Sequence, residues 1–170
     1  MFNLNNVLAR IASSGDRTAL YNALSGVYDT MSSQALTSAG LAIKGAGTKV
    51  AKTGSATTYY IANGKLGSIA GSTDMPALVG TVTNAKFNVF VFYVASGGTV
   101  SSVMGAEASS LGGVIFPVTP PKTAILGFVI INPTGTGNFV GGTTNLDDAT
   151  VVPNAAYVST TGDFSTTALI

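Results

Sequence analysis

The stretch from Phe87 to Val94 constrains the fold more than any other part of the chain. Phe87, Val89, Val91 and Tyr93 fall on one side of an extended strand, and Phe90, Phe92 and Val94 on the other. A strand with apolar side chains on both faces has to be central in its sheet, with protein above and below it. Thr123 to Ile131 reads the same way, and Val114 to Val118 reads as a shorter partner strand that ends among Pro117, Pro120 and Pro121. From about residue 38 onward, Gly, Ser and Thr break the chain every few residues between short runs of Val, Ile and aromatics. That rhythm belongs to an all-β domain, here a β-sandwich or small barrel.

One hairpin can be placed residue by residue. Thr57 to Ala62 meets Lys65 to Ile69 through Asn63-Gly64, the pair preferred where both turn positions need positive φ. Pairing outward from the turn sets Ile61 opposite Leu66 and Tyr60 opposite Gly67, so that an aromatic ring covers a glycine.

The start of the chain has a different period. Leu4, Val7, Leu8 and Ile11 lie on one face of a short helix. Ser13, Ser14 and Gly15 interrupt it, and Asp16 is placed to cap a second helix carrying Leu20, Leu24, Val27 and Met31, with Tyr28 beside them. Gly26 either weakens that helix or lets another backbone come close. Two readings stay open: the stripes cover the protein's own core, or residues 1–37 form a helical arm that docks on a neighbouring subunit. The β-rich domain then occupies residues 38–170, with 39–57 as a linker into it.

Composition narrows the function classes. Charged residues make up 9% of the 170-residue chain, against roughly 25% in an ordinary soluble domain. Small neutral side chains take their place, and these lose water at little cost when backbone groups find partners. Such an outside suits a subunit that is covered by others. Seven of the eight basic residues lie in positions 1 to 100, and four of the seven acidic ones lie beyond. Lys44, Lys49 and Lys52 form the one local basic cluster, too small for a counterion-releasing nucleic-acid face. No window offers a membrane span and the N-terminus lacks the pattern of a secretion signal, so a soluble protein used without export is expected, with no membrane partner.

Chemistry is scarce. The chain has no His, no Cys and a single Glu, Glu107, which leaves none of the common bases for a triad. Gly45-Ala46-Gly47-Thr48-Lys49 lacks the Gly-Lys-Ser/Thr ending of a phosphate loop and reads as a glycine turn. Asp147-Asp148, with Asn145 nearby, could supply part of a calcium shell, but a turn or a capped helical turn is the preferred reading. We therefore expect no enzyme, cofactor, metal or small-molecule substrate.

Ala124-Ile125-Leu126-Gly127-Phe128-Val129-Ile130, then Gly-Asn-Phe-Val-Gly-Gly-Thr-Thr-Asn-Leu-Asp-Asp-Ala at 137–149 and Val-Pro-Asn-Ala-Ala-Tyr-Val at 152–158, resemble small virion structural proteins encoded among the head genes of tailed bacteriophages. The resemblance spans roughly residues 40 to 158. It implies a capsid decoration or cement protein, or a minor capsid subunit, made in the host cytoplasm and located on the virion. Its implied partners are its own copies, most simply as a trimer, and the major capsid protein. Under that reading the interface falls on Leu4, Val7, Leu8, Ile11, Leu20, Leu24, Val27, Tyr28 and Met31 of the arm, with Tyr59 and Tyr60 of the hairpin. The alternatives are a tail or fibre component, or a carbohydrate-binding adhesin module using Tyr59, Tyr60 and Tyr157.

Overall fold

The computed structural model describes residues 14–162, which form one α-helix, a short 3-10 turn at Leu111–Gly113 and eleven strands. The chain is mainly β, and its two larger sheets share one core in a sandwich-like or barrel-like arrangement preceded by the helix.

Helix α1 (Ser14–Met31) carries the expected Leu20, Leu24, Val27, Met31 spacing. It begins before Asp16, so Ser14 and Gly15 are helical rather than a break. Asp16 sits in the first turn, where its charge still meets the positive end of the helix dipole. The earlier stripe Leu4, Val7, Leu8 and Ile11 lies outside the described residues.

Strands β1 (Gln34–Ala35), β4 (Thr58–Ala62) and β5 (Lys65–Ile69) form an antiparallel sheet in the order β1-β4-β5. The hairpin register is the expected one, with Ile61 opposite Leu66 and Tyr60 opposite Gly67. Asn63 and Gly64 both take positive φ, 52° and 72°, as a type I′ turn requires. Between β1 and β4, the short pair β2 (Ala42–Ile43) and β3 (Ala51–Lys52) folds back on itself. The stretch 39–57 is therefore no linker: Ala39, Leu41 and Ala51 are buried in the core. Ala35 is buried as well and pairs with Tyr60, so the β structure begins before residue 38.

The second sheet has the order β11-β9-β7-β8, all antiparallel, from β7 (Asn88–Val94), β8 (Val100–Met104), β9 (Ala124–Ile131) and β11 (Ala156–Ser159). The two strands read as doubly covered, β7 and β9, are its centre. One face of β7 sends Phe90, Phe92 and Val94 into the larger core, shared with Tyr60, Ala62 and Ile69 of the opposite sheet. The other face sends Val89 and Val91 into a smaller core with Val114, Phe116 and Phe128. In β9 the alternation changes phase at a bulge: Leu126 faces the larger core, and so do Val129 and Ile131 three and five residues later. Gly127 occupies that bulge at φ 150°, and a Cβ there would lie 2.2 Å from the Val158 carbonyl oxygen.

The smaller core is roofed by a loop and not by a strand. Val114 and Phe116 turn inward while Ile115 points out and pairs only with Ala106, so the expected strand 114–118 shrinks to one bridge. Pro117 has no N–H to extend the ladder. Phe116 meets Phe128 edge-on at 5.0 Å. Beside the larger core, β6 (Thr81–Val82) pairs with β10 (Phe139–Val140), which brings Phe139 onto Phe90 at 5.9 Å. Asn88, fully buried at the start of β7, donates from Nδ2 to the Gly105 carbonyl at 3.1 Å and accepts the Val89 N–H at 2.8 Å.

Candidate functional site

Among the described residues, helix α1 makes no extensive contact with either sheet. Leu20 and Leu24 are partly covered, whereas Val27 is 55%, Tyr28 64% and Met31 67% exposed. The reading in which this stripe covers the protein's own core fails for those last three residues. Nothing among the described residues approaches the open side of Gly26 either.

The end of the helix is tied to the hairpin. The Ser32 N–H donates to the Tyr28 carbonyl at 2.8 Å, the Gly64 N–H donates to the Ser32 carbonyl at 2.8 Å, and the Asn63 N–H donates to the Ser33 hydroxyl at 3.1 Å. The helix therefore leaves the body at the Asn63-Gly64 turn, with the Tyr28 hydroxyl beside Gly64. Alternation decides what the outward face of the β1-β4-β5 sheet presents. Thr58, Tyr60 and Ala62 are buried, so Tyr59 and Ile61 point outward, with Leu36 beside Tyr59 and Leu66 opposite Ile61. Tyr59 is 48% and Leu66 71% exposed.

Val27, Tyr28 and Met31 of the helix end and Tyr59 of the hairpin are thus all exposed apolar side chains. Tyr60 does not join them: at 3% exposure it is a core residue whose ring lies over Gly67. Neighbours in a strand point to opposite faces, so Tyr59 and Tyr60 cannot serve one surface. The same fact removes Tyr60 from a carbohydrate-binding set, and Tyr157 is only partly exposed on the other sheet. Leu36 and Leu66 escaped the sequence reading. The register of the hairpin was the signal for Leu66, because it put that residue opposite an outward Ile61.

The polar candidates have structural partners. Asp148 accepts from the Thr150 hydroxyl at 2.6 Å and from the backbone N–H groups of Thr150 and Val151 at 2.9 and 3.2 Å. These bonds, that of the Thr150 side chain first, hold its pKa below the ordinary carboxylate value. Asp147 accepts the Gly47 N–H at 2.8 Å, so the two carboxylates serve different loops. The glycine turn 45–49 closes the β2–β3 hairpin, and an amide that a phosphate would use is taken by Asp147. No group of three or more metal-ligating side chains occurs among the described residues. Lys44 pairs with Asp74 at 2.5 Å, which divides the basic cluster. Glu107 accepts the N–H and the hydroxyl of Thr83, both at 2.9 Å, and its pKa is lowered by the backbone bond first.

A cleft of about 280 Å³ lies between Ile43, Leu146, Asp147, Val152, Pro153 and Tyr157. The Tyr157 hydroxyl is buried and has no hydrogen-bond partner among the described residues. Burial first, and the charge of Asp147 second, push its pKa up to about 12. No helix among the described residues is long and apolar enough to cross a membrane. Comparison with protein-family models, with curated proteins and with solved structures returned no match.

Proposed function

We propose that this protein is a non-enzymatic structural subunit of a phage particle, a capsid decoration or minor capsid protein that works through repeated protein contacts. The observation that carries the reading is the set of uncovered large apolar side chains, Val27, Tyr28 and Met31 at the end of α1 and Tyr59 and Leu66 on the hairpin. Large apolar side chains left exposed together on one helix end, as Val27, Tyr28 and Met31 are, mark a contact site. In a chain with 9% charged residues, most of the remaining surface is also inexpensive to dehydrate. A weak contact of this kind gains strength when it is repeated across a shell, because neighbouring contacts hold each subunit at high effective concentration.

In this reading the β domain supplies self-association, and residues 2–31 anchor the subunit to the capsid lattice or to a neighbour. Deleting residues 2–31 removes none of the core side chains among the described residues. The truncated protein is expected to keep one cooperative unfolding transition and to lose co-sedimentation with purified capsids. A truncated protein that binds capsids as tightly as the full chain removes the arm from the proposal.

A further inference from the structure

Among the described residues, strand β5 is the edge of its sheet, and its outward backbone groups have no backbone partner. The two-residue turn makes Ala62 and Lys65 a hydrogen-bonded pair, and antiparallel pairs then alternate in type. Ile61–Leu66 and Tyr59–Ser68 are accordingly the pairs whose N–H and C=O groups point away from each other. The bonds on β4 agree: the Tyr59 carbonyl turns outward to accept the N–H groups of Leu36 and Thr37 at 2.9 and 3.3 Å. On β5 the equivalent groups of Leu66 and Ser68 point out of the sheet, and no backbone group among the described residues bonds to them. Both residues are exposed. Natural edges are commonly blunted by proline, a bulge or inward-pointing charge. β5 has no proline and no bulge, and its only charge, Lys65, lies at the turn end.

We infer that two copies join through β5 in antiparallel pairing about a two-fold axis at Gly67. In that register Leu66 of each copy faces Ser68 of the other, and all four outward backbone groups of each β5 are used. Gly67 meets its own copy as a non-hydrogen-bonded pair, the closer of the two types at about 4.5 Å between Cα atoms. A residue with no side chain suits that position, and the protomer already requires glycine there, since a Cβ would lie 2.4 Å from the Tyr60 ring. The two Lys65 side chains are four residues apart in this register, about 13 Å along the strands and beyond the Debye length of about 10 Å at 0.1 M salt. The contact is isologous, so it closes as a dimer and does not propagate as a fibre. The inference concerns self-association alone and stands whether or not the protein binds capsids.

The test uses the full chain, which contains no cysteine of its own. In L66C/S68C the thiol introduced at position 66 of each copy faces the one at position 68 of the other, at about 5.5 Å between Cα atoms and within disulfide range. Mild oxidation is expected to give a covalent dimer on a non-reducing gel. In L66K/S68K four added charges crowd the axis, and the mass by light scattering should fall by a factor of two with an unchanged circular dichroism spectrum. Both side chains are exposed in the protomer, so neither variant disturbs the core. A native protein that is monomeric, a mass that L66K/S68K leaves unchanged, or a cysteine variant that fails to cross-link overturns the inference.

Discussion

Replacing Gly67 with Ala tests the packing that joins the hairpin to the core. A Cβ at this position would lie 2.4 Å from Cζ of Tyr60, 2.5 Å from its oxygen and 2.8 Å from Cε2. Comfortable carbon contacts begin at about 3.5 Å, so the ring has to retreat by about 1 Å. It has little room to do so. Tyr60 is 3% exposed and packed in the larger core. Overpacking of this kind costs about 1–3 kcal/mol, and the lower backbone entropy of alanine in the unfolded chain returns about 0.5–1 kcal/mol. The expected net loss is about 0–2.5 kcal/mol, which lowers Tm by up to about 10 °C in a chain of this size. The discriminating assay is a double-mutant cycle with Tyr60→Leu, followed by thermal and denaturant unfolding. Once the ring is gone, Gly67→Ala should be neutral or mildly stabilising. If it costs the same in both backgrounds, the ring is not what demands glycine at residue 67, and the argument fails.

The Thr58 hydroxyl is fully buried with no partner among the described residues. Thr58→Val keeps the shape and removes that orphan, so it should stabilise by about 1 kcal/mol and raise Tm by about 2–4 °C; a loss of stability would reveal a partner for the hydroxyl. Tyr157 holds its proton in the folded protein up to about pH 12, against an ordinary value of 10.0. Its contribution is therefore complete below pH 10 and is lost as pH rises toward 12, where the unfolded chain ionises first. The denaturant midpoint should fall across that window in the native protein and fall less in Tyr157→Phe; parallel pH profiles would contradict the assignment.

The legible parts of this fold are those set by local rules. Asn63-Gly64 needs only turn chemistry, and it yielded a register correct at every pair of the hairpin. Phe87 to Val94 needs only strand alternation, and its two faces do enter two cores. The failures have an equally physical origin. Residues 39–57 carry too few large apolar side chains to announce burial, yet Ala39 and Ala51 are core residues because a small side chain lets two backbones come close. Val114 to Val118 has strand composition, but it lacks a neighbour within pairing distance along its length and so uses its apolar residues as a roof. For the candidate site, composition pointed to a covered outside without saying where. Tyr59 and Tyr60 were grouped by adjacency when alternation had already separated them.

The double coverage of β7 carries a consequence for how the chain finds its fold. A strand with one polar face is punished for slipping by one residue, because every side chain then changes sides. β7 has no such penalty to rely on, since valines and phenylalanines occupy both sides. Its register must be read from features that occur only once. Asn88, whose amide is satisfied only when Gly105 stands opposite, is one such feature. Gly127, the residue of the β9 bulge where no side chain fits, is another. Polar pairing and a missing side chain thus act as alignment marks in a sheet whose hydrophobic pattern alone would accept several arrangements.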